Sequence, residues 1–286
     1  MSDTMMKTGL VLEGGAMRGM FTAGVMDVLM ENGIRFDGAI GVSAGAAFGC
    51  NYKSGQIGRV IRYNTRFCGD PRYSGLRVLL REGNLFSTDF CYDEVPNKYD
   101  VFDFGSFERN PMAFYVVCTD VETGQPVYHC YTGRQDHGFD WIRASASMPV
   151  VSKMVQIEGQ KLLDGGIADS IPIRYFQSIG YMRNVVVLTQ PLGYEKKKNP
   201  LLPLLRLSYS NYPEMVKTLA KRHETYNTTL AYLRQQEQAG AALVLRPSQS
   251  LHIGKAEKDP KKLKTVYDIG RTVAEERLEE IRRFLK

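Results

Sequence analysis

Within its first 52 residues the chain passes twice from a short apolar run through a glycine-rich turn into a helix-forming stretch, with no internal repeat of sequence. Gly9 to Glu13 reads as a buried strand and Gly14-Gly15-Ala16-Met17-Arg18-Gly19 as its turn. A helix follows from about Met20 to Asn32, with Phe21, Val25, Val28 and Leu29 on one face and Gly33 as its C-cap. Phe36 to Ile40 is the second strand, Gly41-Val42-Ser43-Ala44-Gly45 the second turn, and Ala44 to Tyr52 the second helix. Strand, helix, strand, helix at this spacing demands a parallel sheet with helices packed on it. The expected fold class is α/β.

Farther on, Ala113 to Thr119 and Pro126 to Tyr131 read as strands around the turn Glu122-Thr123-Gly124. Met154 to Ile157 and Lys161 to Leu163 form a hairpin across Glu158-Gly159-Gln160, and Val185 to Leu188 suits a central strand. The sheet is expected to close near residue 190. The composition then shifts: Glu195 to Pro203 is charged and proline-bearing, a linker in this reading. Pro213 to Gln238 is one long helix, Ala242 to Leu245 a candidate extra strand, and Leu263 to Leu285 helical and charge-rich. The predicted organisation is a domain over residues 8–190 and a mainly helical C-terminal extension over 195–286. The apolar residues Leu205, Leu207, Tyr209, Tyr212, Met215, Val216 and Leu219 are expected to pack that extension against the sheet.

Bulk properties narrow the setting. At 286 residues a sizeable core is available, and no apolar run approaches the roughly 18 residues of a membrane span. Met1 to Thr8 leads only into the brief run Leu10-Val11-Leu12, too short for the core of a signal peptide. Cys50, Cys68, Cys91, Cys118 and Cys130 are odd in number with no C-x-x-C pair. That argues against a disulfide framework or a zinc site and for a reducing cytoplasm. The net charge of +6 includes the runs Lys196-Lys197-Lys198 and Lys255 to Lys264. They suit a solvated face, or peripheral contact with an anionic membrane at the inner face; no nucleic-acid motif accompanies them.

The chemistry starts at Ser43. G-x-S-x-G between a strand and a helix is the context of a nucleophile elbow. Gly41 and Gly45 leave no side chains to collide where the chain doubles back. The helix that follows points its N-terminus at the same spot. The turn Gly14 to Gly19 lies at the end of the neighbouring strand and opens a helix of its own. Its outward N–H groups suit an oxyanion hole, donors commonly worth about 3–4 kcal/mol each, and Arg18 adds a positive charge. A dinucleotide fingerprint is the competing reading. It fails on Ala16, where the pyrophosphate needs glycine, and on the missing acidic residue after the next strand. Downstream, Asp164-Gly165-Gly166 ends the apolar run Leu162-Leu163 and can present a carboxylate to a crowded site; a plain hairpin turn is its structural alternative.

Together the glycine turn, GVSAG, Asp164-Gly165-Gly166 and the segment Arg143-Ala144-Ser145-Ala146-Ser147-Met148-Pro149 resemble the patatin-like phospholipases over about residues 8 to 190. The departure is Ala16, where that family usually has a third glycine. The resemblance implies a three-layer α/β/α fold and a Ser43–Asp164 dyad without histidine, cleaving acyl esters of lipids through an acyl-enzyme with no metal or cofactor. Burial among Leu162, Leu163 and Ile167 would raise Asp164 toward the pKa of a useful base. A triad would need His223 or His252, since the serine–acid–histidine order places only these after the aspartate. His129 and His137 precede it, and Cys50 and Trp141 read as core residues, Trp141 alternatively as pocket lining. Two rivals share the fold: a non-catalytic lipid-binding protein, and an acyltransferase using the same dyad.

Overall fold

The structure, a computed structural model, describes residues 6–286. The part of the Met1–Thr8 reading that concerns residues 1–5 lies outside them. Eight strands form one sheet: β1 (Lys7–Leu12), β2 (Gly38–Val42), β3 (Ala113–Asp120), β4 (Pro126–Cys130), β5 (Val155–Ile157), β6 (Gln160–Asp164), β7 (Tyr181–Val187) and β8 (Ala242–Leu245). β1, β2, β3, β7 and β8 are mutually parallel where they pair, and β4, β5 and β6 form antiparallel pairs at one side.

The helices follow in chain order: α1 (Gly19–Glu31), α2 (Ala44–Ser54), α3 (Arg59–Phe67), α4 (Leu76–Glu82), α5 (Phe104–Arg109), α6 (Asp140–Ser145), α7 (Ile173–Ser178), α8 (Leu202–Ser208), α9 (Pro213–Gln238), α10 (Pro260–Glu276) and α11 (Leu278–Leu285). A π-helical segment, Phe90–Tyr99, lies between α4 and α5 and contains Pro96. Proline has no N–H to give, so the regular helical ladder cannot pass through it.

Alternating side chains of the sheet set the layers. Leu10 and Leu12 of β1 face a core shared with α1, α2 and α10, through residues such as Met20, Val28, Phe48 and Leu263. Val11 between them faces the opposite core, shared with α7 and α9 through Phe176, Tyr226 and Leu233. This is the three-layer α/β/α arrangement expected from the family resemblance.

The sheet does not close near residue 190. β8 adds beside β7, with Leu243 opposite Val185 and Val244 opposite Val186, because its four apolar residues fill a buried edge. α10 crosses α1 with almost no gap. A methyl on Gly24 would stand 2.0 Å from the Tyr267 carbonyl oxygen, and one on Gly270 2.0 Å from that of Phe21. Tyr267 donates to Asp27 at 2.7 Å, and Arg271 grips Glu31 through two bonds of 2.8 and 2.7 Å. The helical stretch predicted over Leu263 to Leu285 breaks at Arg277 into α10 and α11. The linker reading of Glu195 to Pro203 also needs revision: α8 begins at Leu202, and Asn227 of α9 pins Lys196 through its N–H at 2.9 Å and its carbonyl at 3.0 Å. Leu205, Tyr209, Met215 and Leu219 pack onto Val121, Leu163 and Ile167, whereas Leu207 is exposed.

Candidate active site

Two strands meet end to end along β3, and the site stands where they meet. β2 pairs with β3 only as far as Val42 opposite Val117. Past that point β6 takes over the edge, with Asp164 opposite Cys118. β4 must hold the other edge, because Cys118 and Thr119 each pair with both β4 and β6. Ser43, one residue beyond β2, therefore faces Asp164, the last residue of β6. The Ser43 Oγ donates to Asp164 Oδ2 at 2.7 Å.

The gap between the two strand ends is bridged by Ser145. Its hydroxyl donates to the Val117 carbonyl at 2.6 Å and accepts the Ser43 N–H at 2.8 Å. A side chain thus replaces one rung of a backbone ladder. From sequence Ser145 reads as a locally bonded, close-packed serine; its bond to Ser43 across 102 residues has no local signal.

Ser43 has φ 55° and ψ −120°. A non-glycine residue there stores on the order of 1–3 kcal/mol. The flanking glycines are required by contact. A methyl on Gly41 would stand 2.4 Å from the Gly45 carbonyl oxygen, and one on Gly45 2.3 Å from that of Leu12. The resulting turn leaves Ser43 half-buried at the N-terminus of α2, with Val42 and Ala44 buried on either side.

The first glycine turn touches this serine: a methyl on Gly14 would approach Ser43 Cβ to 2.9 Å. Ala16 has φ 49° and carries its Cβ in the left-handed region, at a cost of about 1–2 kcal/mol. The Arg18 N–H turns back to Gly15 at 3.1 Å, and the Gly19 N–H to Ala16 and Met17. The N–H groups of Gly14, Gly15, Ala16 and Met17 have no acceptor among the described residues. Behind the turn Glu13 is buried and satisfied. It accepts from the Thr189 N–H at 2.6 Å, the Thr189 hydroxyl at 3.1 Å and the Tyr226 hydroxyl at 2.6 Å. This carboxylate ties β1, the end of β7 and α9 together under the turn.

Asp164 is 7% exposed, surrounded by the buried Leu162, Leu163 and Ile167. Its Oδ1 accepts the Gly166 N–H at 2.8 Å, and its carbonyl accepts from Thr119 at 2.9 Å. Burial pushes its carboxyl above the usual aspartate range. The Ser43 hydroxyl, the Arg222 charge, the Gly166 N–H and the Lys255 charge pull the other way without cancelling it. Gly165 and Gly166 form a short 3-10 turn that carries the chain away from the site.

No histidine bonds to Ser43 or Asp164 among the described residues. His129 pairs with Asp136 at 2.7 Å, His137 with Glu158 at 3.3 Å and His223 with Glu224 at 3.7 Å, while His252 is exposed. Cys50 lines the cleft beside Ser43, but burial lifts its thiol to about 12, so it stays protonated and a poor nucleophile. Trp141 is buried and stacks on His129 at 3.8 Å, outside the cleft lining.

From Ser43 a cleft runs between α2, the segment 59–96 and the segment 139–152, with about 1070 Å³ of empty space that includes open solvent. Phe48, Tyr63, Tyr73, Phe86, Tyr92 and Val95 give it a mainly apolar wall. That lining suits an alkyl chain. The wall is missing from the sequence reading, which recognises no element between Tyr52 and Ala113.

Fold and constellation together define a class: α/β proteins with a serine on a strained strand-to-helix turn, bonded directly to a buried aspartate. The patatin-like phospholipase family profile matches residues 10–176, and the chain belongs to that family. Residues 212–286 match a domain of unknown function, DUF6363. The uncharacterized protein YjjU of Escherichia coli is 35% identical over 200 residues, covering 65% of this chain and 52% of that protein. Lysophospholipase nte1 of Aspergillus oryzae is 26% identical over 177 residues, covering 60% of this chain and 11% of that protein. The chain thus spans about half of the first relative and a small part of the second. The crystal structure of VipD from Legionella pneumophila aligns with a TM-score of 0.43 and 12% identity, over 94% of this chain and 67% of that one.

Proposed function

We propose that the protein hydrolyses acyl esters of lipids through Ser43 and Asp164. The observation that carries this is the 2.7 Å bond from the Ser43 hydroxyl to a buried carboxylate at the end of an apolar cleft. Family membership and the similarity to lysophospholipases support a lipid ester as substrate.

In this mechanism Ser43 Oγ attacks the ester carbonyl carbon as its proton passes to Asp164 Oδ2. The carbonyl oxygen gains the negative charge and is received by N–H groups of the turn Gly14 to Met17. Collapse of the intermediate breaks the bond to the alkoxide, which takes the proton from Asp164 and leaves as the alcohol. Water then repeats the sequence on the acyl-enzyme, releasing the fatty acid and restoring the serine. Two features fit Asp164 to both roles. Burial raises its proton affinity, and the Gly166 N–H fixes Oδ1 so that Oδ2 faces the serine.

The test is fatty-acid release from lysophospholipid by the wild type and the Ser43→Ala protein, read by mass spectrometry. The variant is expected to lose activity by about 10³-fold or more. Equal release by both proteins overturns the assignment.

Peripheral contact with an anionic membrane is part of the same reading. Leu76 and Leu80 of α4 are 70% and 80% exposed, and Leu207 of α8 is 76% exposed. The segment after α4 and the one after α8 both bond the loop 150–151: Leu85 N–H donates to the Val151 carbonyl at 2.7 Å, and Val150 N–H donates to the Tyr209 hydroxyl at 3.0 Å. Arg77, Lys153 and Arg206, in or near the same segments, are exposed too. An apolar face studded with cations suits an anionic bilayer. Leu80→Ser with Leu207→Ser is expected to weaken cosedimentation with phosphatidylglycerol vesicles; unchanged binding removes this face from the account.

A further inference from the structure

Arg18, Lys196 and Arg222 gather behind the glycine turn and the Asp164-Gly165-Gly166 turn, Lys255 adds its charge to theirs, and none of the four lines the apolar cleft. Arg222 of α9 donates through Nε to the Gly166 carbonyl. A methyl on Gly166 would stand 3.0 Å from Asp164 Oδ1 and 3.2 Å from Arg222 Nη2, so the guanidinium lies just behind the carboxylate. Lys196 Nζ sits 4.3 Å from the centre of the Tyr226 ring, whose hydroxyl is bonded to Glu13 below the glycine turn. Arg18 Nε reaches the Thr189 hydroxyl at 3.5 Å, beside the same Glu13. Lys255 is exposed, and its charge acts on both Asp164 and Lys196.

Asp164 and Glu13 are the acids beside the four, and neither forms an ion pair with them. None has a carboxylate oxygen within 4.0 Å among the described residues. Glu13 is already engaged by Thr189 and Tyr226. Burial and then the charges of Arg222, Arg18 and Lys255 push the Lys196 ammonium down to about 8, against the opposing pull of Glu13. Such crowding of like charges opposes folding unless an anion has a use there. Both basic runs of the sequence contribute, through Lys196 and Lys255, and three of the four residues lie beyond the stretch matched by the patatin-like family.

Two environments of different chemistry thus adjoin the dyad, one through Ser43 and one through Asp164. One is an apolar cleft fit for an acyl chain. The other holds Asp164 and the cations, and Asp164 hands its proton to the departing alcohol. From this we propose that Lys196, Arg222 and Lys255, with Arg18, form a subsite for a phosphoryl group carried on the alcohol portion of the substrate. The inference rests on the hydrolase reading and deepens it: the preferred substrate is an anionic glycerophosphate ester, held by the C-terminal segment with its phosphate beside the general base.

The test uses monohexanoyl glycerophosphate and monohexanoyl glycerol, which share the acyl ester and differ in the phosphate. Binding is measured by calorimetry to the full-length Ser43→Ala protein, so it does not depend on turnover. The phosphate ester is expected to bind about tenfold or more tightly than the neutral one. Adding Lys196→Gln with Lys255→Gln should remove that preference, whereas Lys198→Gln should keep it. Equal affinity for the two esters overturns the proposal, and so does a preference that survives the double substitution. Inorganic phosphate binding as tightly as the ester, with no gain from the acyl chain, assigns the cations to free phosphate and also overturns it. Turnover of both esters by the wild type is measured alongside. Its absence, with the binding preference intact, counts against the hydrolase reading and leaves the subsite standing.

Discussion

Strain at the elbow can be measured by comparing two variants that lose the same hydroxyl. Ser43→Ala and Ser43→Gly both remove the 2.7 Å bond to Asp164 and both abolish turnover in this account. They differ in what the backbone at φ 55°, ψ −120° then costs. Alanine keeps a Cβ in a conformation that costs a non-glycine residue about 1–3 kcal/mol. Glycine escapes that cost but gives back about 0.4–1 kcal/mol through the greater freedom of its unfolded chain. The glycine variant should therefore be the more stable of the two by about 1 kcal/mol, the balance of these opposing effects. Urea unfolding followed by circular dichroism reads the difference as a shift in midpoint at constant slope. Comparing the variants with each other cancels the lost hydrogen bond, which a comparison with wild type would not. Equal stability, or a more stable alanine variant, refutes the claim that the turn stores strain to hold the hydroxyl in place.

Burial raises Asp164, and as a base it must be ionised, so kcat/KM should fall as pH drops through a value above the usual aspartate range of about 3.9. Arg222→Gln removes a charge that favours the ionised form and should move this acid limb to higher pH; a limb that stays put separates Asp164 from the rate. The same raised pKa gives a stability contribution that is fully present below the unfolded value and lost as pH rises through the folded one. Asp164→Asn should therefore gain about 0.5–2 kcal/mol over the wild type at neutral pH while losing turnover, a trade between stability and function that thermal unfolding and an ester assay read together. Ala16→Gly should relieve the φ of 49° and stabilise the protein by about 1 kcal/mol with turnover retained, since the N–H is unchanged. Lost turnover in that variant would show that the alanine methyl has a role at the site.

Much of the site is legible because its signals are local. Each glycine turn follows a short apolar strand and precedes a helix, so Ser43 and the turn Gly14 to Gly19 can be placed at one end of a parallel sheet. Asp164 is legible from the apolar run before it and the glycines after it. Ser145 is legible only as a packed serine. Its role depends on where β2 stops along β3, which no stretch of sequence records. The cleft wall from Arg59 to Tyr99 goes unread for a different reason. Its aromatics face a cavity as well as the core, and Pro96 interrupts the helical period. β8 is legible as a candidate strand, but four residues do not say which sheet edge they join. Only its register beside β7 shows that the sheet continues past residue 190. The basic runs read as solvent-facing because charge gives no hint of which residues fold back over Asp164.

The central claim is that Ser43 is a nucleophile activated by Asp164 and by no histidine. Its most direct test is labelling by a fluorophosphonate, located by peptide mass spectrometry in the wild type, Asp164→Asn, His223→Ala and His252→Ala proteins. The account predicts a single adduct on Ser43, formed at the wild-type rate in both histidine variants and slowed by about 10²-fold or more in Asp164→Asn. An adduct on any other residue, or a rate that collapses with either histidine and survives the loss of Asp164, contradicts it.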